Sequence, residues 1–328
     1  MSPTIKQIAS IAKVSIATVS RVLNNDKRVT EKTRKKILKI TEELNYRPNI
    51  IARNFVKKKS NLIGLILPEI SDEFFTEIIK GVDELTFAHG YYTLVASSHK
   101  YESLDQEIET FLRNGLVGGI IILVSSLNDK IKCILKDSRI PVVLISGGSN
   151  IDGFDAVSIE NYGGAFKMTE YLILKRKYKN LLHITGPQDN DDALLRRKGF
   201  EDACKKYNAA FRIEFGEFTQ ESGRKICDKL LKSNSLPDVI FAANDMMAIG
   251  CYDSIKAKGL TIPDDISVVG FDDVFVSKYI SPPLTTVKVQ IEDVGKTAAE
   301  ILMRKVREKN NHKKIISKIS TKVIIRNS

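Results

Sequence analysis

The chain has 328 residues, 51 Lys and Arg against 40 Asp and Glu, and a formal net charge of +11. That length exceeds one ordinary hydrophobic core and predicts two or three domains. No stretch approaches the roughly 18 uninterrupted apolar residues of a membrane span, and the opening MSPTIKQIAS lacks a basic-then-apolar export pattern, so a cytoplasmic protein with no membrane partner is expected. Cys133, Cys204, Cys227 and Cys251 stand far apart with no CxxC pair and His is scarce, which argues against zinc, a disulfide framework or any other cofactor. The charge is unevenly spread. Residues 1–60 hold 15 Lys and Arg but 4 Asp and Glu, and therefore the whole net charge, while the other 268 residues hold 36 of each sign. Clustered cations displace counterions from nucleic acid, although a positive run can also be a solvated face.

Residues 4–24, TIKQIASIAKVSIATVSRVLN, contain two short amphipathic patterns. Thr4 is a candidate N-cap ahead of Ile5, Ile8, Ala9, Ile11 and Ala12, and Ser15 precedes Ile16, Val19, Val22 and Leu23. Only Lys13, Val14 and Ser15 lie between them, so the helices must cross steeply. This is a helix-turn-helix pattern, with Ser15, Ile16, Ala17, Ser20 and Arg21 projecting toward a major groove. A third helix is predicted from Thr30 as N-cap to about Leu44, with Val29, Ile37, Leu38, Ile40 and Leu44 facing inward. Ile8, Val19, Val22 and Leu23 read as core. Ile16 and Ala17 can touch thymine methyls but cannot form bidentate hydrogen bonds, whereas Arg21 can pair with guanine or grip phosphate.

VSIATVSRVLNN, then VTEKTRKKIL, then LNYRPNIIAR together resemble the DNA-binding head of the Lac repressor (LacI/GalR) family of bacterial transcription regulators. In that family the segment matching Asn49 to Val56 is a hinge helix that folds on the operator and inserts a leucine into the minor groove. Phe55 stands at the matching position here, and an aromatic wedge can also part a base step; its alternative is packing on the body. Lys57, Lys58 and Lys59 are candidate phosphate contacts or a solvated linker. The expected DNA-contacting set is Thr4, Ser15, Ile16, Ala17, Thr18, Ser20, Arg21, Asn24, Arg28, Asn49, Ala52, Arg53 and Phe55.

From Leu62 onward, short apolar runs alternate with helical stretches. Strands are predicted over 62–68, 91–98, 118–124, 141–146, 156–160, 181–185, 239–244 and 266–271, and helices around 74–89, 103–114, 163–175, 194–206, 220–232, 246–258 and 291–306. The series restarts near Asn161, which predicts an α/β body of two doubly wound lobes with a cleft between them. Ligands bind such sheets beyond the carboxyl ends of their strands.

The resemblance continues through PEISDEFFTEIIKGV, RKGFEDA, FAANDMMAIG, IPDDISVVGFDD and PPLTTV, and so covers essentially the full chain. It implies a periplasmic-binding-protein-like body that dimerises and holds a small effector through Phe74, Phe75, Ser125, Ser146, Arg196, Asn244 and Asp272. The chemistry of that set suits a sugar first and a nucleobase second: rings stack, and Arg, Asn and Asp offer planar pairs to vicinal hydroxyls. Each has a plainer reading. Phe74 and Phe75 can be helix core, Arg196 can pair with Asp272, and Asn244 or Asp245 can cap the following helix. Three departures from the family pattern stand out. Ser146 replaces a common acidic residue, Lys177-Tyr178 replaces a Gly-His pair so that another C-cap geometry is expected, and Glu160 replaces Asp.

An enzyme is disfavoured. Leu67-Pro68-Glu69 follows the first strand where a phosphate-binding glycine loop would stand, Gly118-Gly119 and Gly147-Gly148 are isolated pairs, and no GxSxG is present. His89, His99, His183 and His312 form no recognisable base or metal arrangement. The remaining alternative is a solute-binding protein without regulatory DNA binding. The expected organisation is a helix-turn-helix domain at 1–48, a hinge and linker at 49–60, and an effector-binding and dimerisation domain at 61–328. Its lobes are expected at about 61–160 with 290–318 and about 161–289 with 319–328. The expected partners are a pseudo-palindromic DNA operator, a small-molecule effector and a second copy of the chain. No heptad pattern trails the last strand-like run near VIIRNS, so no tetramerising helix is expected.

Overall fold

The computed structural model describes residues 3–24, 26–46, 60–97, 104–113, 115–146, 148, 153–233, 235–308 and 313–328. The chain divides into two compact units, Met1–Ser60 and Asn61–Ser328. No helix among the described residues is long and apolar enough to cross a membrane.

The smaller unit consists, among its described residues, of α1 (Ile5–Ala12), α2 (Ile16–Leu23) and α3 (Glu31–Glu43). Local chemistry sets each start. Gln7 N donates to Thr4 Oγ1 at 3.3 Å while Thr4 N donates to Gln7 Oε1 at 2.8 Å, a reciprocal capping box. Lys13 then turns left-handed at φ 55°, and Ser15 caps α2 by accepting from Thr18 N at 3.1 Å. Ile8, Ala9, Ala12, Val19, Val22, Ile37 and Ile40 close one small core. Two expected inward residues face water instead: Ile11 and Leu38 are 54% and 45% exposed. Each directly precedes or follows a buried residue, and a helix turns about 100° per position, so a core this small covers only one of the two.

The larger unit is an α/β body with two sheets, as the alternation of runs predicts. In chain order its elements are β1 (Leu62–Leu67), α4 (Glu73–Ala88), β2 (Tyr92–Ser97), α5 (Leu104–Arg113), β3 (Ile120–Leu123), α6 (Asp129–Lys136), β4 (Val142–Ile145), β5 (Asp155–Ile159), α7 (Asn161–Leu174), β6 (Asn180–Thr185) and α8 (Asp191–Lys206). There follow β7 (Ala210–Phe215), α9 (Gln220–Leu230), β8 (Val239–Ala242), α10 (Asp245–Ala257), β9 (Ser267–Asp272), a 3₁₀ turn (Phe275–Lys278), β10 (Thr285–Val289), α11 (Ile291–Arg307), β11 (Ile316–Ile319) and β12 (Thr321–Ile324). One sheet runs β11-β5-β4-β3-β1-β2, entirely parallel; the other runs β12-β10-β9-β8-β6-β7, parallel except for β12 against β10. The chain passes between the lobes after β5, β10 and β11, and α11 packs back on β3, β4, β5 and α4.

β3 and β9 are buried along their whole length, because helices cover both faces of each sheet. Helices approach to backbone contact where glycine allows it: a Cβ on Gly199 of α8 would lie 2.3 Å from Tyr162 O of α7. β7, β10, β11 and α6 are not anticipated from apolar runs. β7 alternates apolar and polar residues at a sheet edge, β11 at the edge of the other sheet is a four-residue Ile-Ser-Lys-Ile with only two apolar residues, and β10 is largely threonine and valine with a lysine. α8 begins at Asp191 rather than 194, because Asn190 caps it by accepting from Ala193 N at 3.0 Å. The end of α7 departs from expectation too. With no glycine available, Lys177 itself adopts φ 62°, and Tyr178 N reaches Leu172 O at 3.2 Å.

Candidate functional site

On α2, Ser15, Ile16, Ala17 and Arg21 are exposed, while Thr18, Ser20 and Asn24 are half-buried. Ile16 is the first residue of the helix and 45% exposed, an apolar side chain that this unit's own core does not use. Ser15 and Thr18 hydroxyls lie 2.9 Å apart, and Asn24 Nδ2 donates to Ser20 O at 2.8 Å, so the polar residues are tied to the helix ends. Thr4 is exposed at the start of α1. Arg28 is also exposed but engaged: its guanidinium bonds the Asp26 carboxylate at 2.6 and 3.0 Å, and this cation holds the Asp26 carboxyl well below the usual range. Lys36 of α3 donates to Ala12 O at 3.0 Å, a bond that closes the C-terminal end of α1. Asn49, Ala52, Arg53 and Phe55, with Lys57 to Lys59, lie outside the described residues.

In the body a cavity of about 230 Å³ opens at the carboxyl ends of the strands, lined from one lobe by Glu69, Asp72, Phe74, Phe75 and Ser125 and from the other by Asn190, Asp192, Arg196, Phe218, Asn244 and Asp272. Six of the seven expected effector residues therefore line one space. The seventh does not: Ser146 is buried outside the lining, and its hydroxyl accepts from Gly148 N at 3.2 Å. Glu160 does not reach the cavity lining either, since it caps α7 through Gly163 N at 3.3 Å. The lobes meet directly across this region. Asp191 N donates to Ser125 O at 2.9 Å, and Phe275 N donates to both Glu73 carboxylate oxygens at 2.6 and 2.7 Å.

Arg196, 3% exposed, is the hub. Its Nε donates to Asn161 Oδ1 at 2.7 Å, one terminal nitrogen donates to Ala243 O at 2.6 Å, and the other lies 3.2 Å from Asp272 Oδ1 without hydrogen-bond alignment. The guanidinium carbon stands 3.9 Å from the Phe271 ring centroid, a cation–π contact beneath the cavity floor. Asn161 in turn donates to Asp192 Oδ1 at 2.5 Å. Burial drives the Asp272 carboxyl up to about 7; Arg196 opposes that shift, and the nearby Asp72 and Asp192 carboxylates add to it. Asp72 and Asp192 are raised for the same first reason. Asn244 combines two roles, accepting from Met247 N at 3.0 Å as the cap of α10 and donating to Phe218 O at 2.8 Å.

The backbone is forced at this site. Phe218, Asp272 and Asp273 all have positive φ, at 60°, 109° and 60°. Buried Asp245 holds the turn after β9, accepting from Val274 N at 3.0 Å and Thr286 Oγ1 at 2.5 Å, and Arg326 donates to Asp273 Oδ1 at 2.6 Å. Over-determination of this kind keeps left-handed non-glycine residues in place. His183 has no catalytic setting: it is wholly buried, stacked on Phe200 and held near pKa 4 by burial.

Asp72, Asn190 and Asp192, and likewise Glu217, Phe218 and Thr219, line the cavity without being among the residues expected from the sequence. The last three follow β7, so an unrecognised strand hid its own carboxyl end. A rule that inspects the residues after every alternating run would have found them.

An exposed helix-turn-helix face and a two-lobed, ligand-sized cleft in one chain define a DNA-binding regulator under small-molecule control. Residues 4–49 match the family described as bacterial regulatory proteins, lacI family, and residues 170–328 match the periplasmic binding protein-like domain. The HTH-type transcriptional repressor PurR of Aliivibrio fischeri (strain MJ11) is 32% identical over 331 residues, 99% of this chain and 98% of the relative; that of Histophilus somni (strain 129Pt) is 30% identical with the same coverage. A Lac repressor dimer bound to operator and the anti-inducer ONPF superposes with a TM-score of 0.87 at 25% identity, covering 100% of this chain and 99% of that one. The regulator CelR in complex with cellobiose gives 0.76 at 25% identity, covering 99% of each chain. The chain belongs to the lacI family of bacterial regulatory proteins.

Proposed function

We propose that this regulator acts in the cytoplasm as a repressor, binding a pseudo-palindromic operator as a homodimer and releasing or tightening its grip when a sugar or sugar derivative occupies the interlobe cavity. One observation carries the reading: the exposed, capped face of α2 stands in the same chain as a cavity whose polar groups come from both lobes. On this reading residues 1–48 read the operator, 49–60 link, and 61–328 sense. Ser15, Ile16, Ala17 and Arg21 meet the major groove, with Thr4, Thr18, Ser20, Asn24 and Arg28 beside them. Phe74, Phe75, Ser125, Arg196, Asn244 and Asp272 contact the effector. The related Lac repressor structure, a dimer on operator, and the CelR–cellobiose complex support this assignment. The relatives are repressors, which supports a chain without turnover of its own.

The effector can move operator affinity only through its differential affinity for two states of the body, and a ligand that touches both lobes meets that requirement. The decisive test is gel retardation of promoter fragments from the chain's own and neighbouring genes by the purified protein, with and without candidate sugars. Retardation that shifts with one sugar is the expected result. Sugar binding without retardation at any ionic strength would instead make this a solute-binding protein.

A further inference from the structure

The residues lining the cleft are acidic on balance. Among the described residues lining it, Glu69, Asp72, Asp192, Glu217 and Asp272 are acidic, and Arg196 alone is basic. Arg196 is already committed, with Asn161 Oδ1, Ala243 O and Asp272 Oδ1 each next to one of its three nitrogens. Asp272 is 5% exposed and lines the cavity, and its Oδ1 stands 3.2 Å from a terminal nitrogen of Arg196 in an ion pair without hydrogen-bond alignment. A carboxylate has lone pairs beyond those one ion pair engages, and a donor in the cavity can meet them. The rings of Phe74 and Phe218 line the same space and attract cations through their π faces. A bare divalent cation is a poor fit, because no three His, Cys, Asp or Glu among the described residues are grouped to hold a metal. Negative charge spread along an aromatic-flanked cavity suits an ammonium group accompanied by hydroxyls.

We propose that the effector is an amino sugar, its protonated amino group set against Asp272 and the neighbouring carboxylates, and that the cleft excludes phosphorylated and carboxylated sugars. This rests on the reading of the cavity as a sugar-effector site. The raised carboxyls of Asp72, Asp192 and Asp272 fit it: burial disfavours their charged forms, and an incoming cation favours ionisation where an anion would oppose it further.

The test is calorimetric titration of the full chain with glucosamine, galactosamine and mannosamine, each beside its parent hexose, its N-acetyl derivative and its 6-phosphate. At least one amine should bind about tenfold or more tightly than its parent hexose; N-acetylation should remove that advantage, and the 6-phosphate should not bind. Asp272→Asn should abolish the preference for the amine. Asp72→Asn, which retains an N-capping side chain for α4, should diminish it without unfolding the lobe. A parent hexose or 6-phosphate binding as tightly as the amine overturns the amino-sugar proposal and leaves the sugar-effector reading standing. Binding by no member of the set overturns both.

Discussion

In the N-terminal unit, the α2 side chains proposed to meet the major groove, Ser15, Ile16, Ala17 and Arg21, are exposed and depend on little beyond a helix and its caps, whereas in the body Arg196, Asn161 and Asp272 are buried and depend on one another. The first arrangement separates recognition from stability: a polar face can change without disturbing Ile8, Val19 and Ile37 beneath it. The second binds them together. A buried polar group that loses its partner is costly, so the residues proposed to meet the effector are also part of what holds the second lobe in shape.

The sharpest way to break this contrast is Arg196→Ala. Its loss strands Asn161 Oδ1, Ala243 O and the Asp272 carboxyl, and should cost about 3–5 kcal/mol in chemical denaturation of the body along with effector binding. A cost below about 1 kcal/mol would show the network to be ornamental. Next is pH. Because the folded body holds the Asp272 proton near pKa 7 and the unfolded chain near 3.8, the native state binds more protons between those values, and its stability falls as pH rises through that window. Asp272→Asn should flatten the change in unfolding free energy between pH 5 and 8 by about 2–3 kcal/mol, read from urea melts at both pH values. An unaltered slope would place the proton elsewhere.

In the head the same logic runs the other way. Arg21→Ala should weaken operator binding by about 1–3 kcal/mol and leave thermal stability within about 0.5 kcal/mol of wild type. Fluorescence anisotropy on operator and on random duplex separates base reading from phosphate grip, for an equal loss on both would rule out the former. The smallest effect concerns backbone alone: Lys177→Gly relieves a left-handed lysine and should stabilise the body by about 0.5–1 kcal/mol. Destabilisation there would mean that the lysine side chain contributes more than its backbone costs.

Legibility followed the same division. Thr4, Ser15 and Thr30 all cap the helices they precede, since a cap is a contact over three residues. Ile11 and Leu38 faced the wrong way because hydrophobicity alone does not say how wide a face the core covers. In the body, apolar runs located most interior strands but neither β10 nor edge strand β7, and with β7 went Phe218. Ser146 follows a strand as Ser125 does, yet only Ser125 reaches the cavity.

From the amino-acid order alone came the basic head, the helix-turn-helix, the βα alternation and the restart near Asn161, because caps, periodicity and charge are properties of neighbours along the chain. Tertiary structure alone decided that Asp72, Asp192 and Phe218 share one cavity with Arg196 and Asp272, and that burial raises a carboxyl there to about 7. Desolvation and mutual repulsion arise only once residues 200 positions apart are packed together, and no local pattern encodes them.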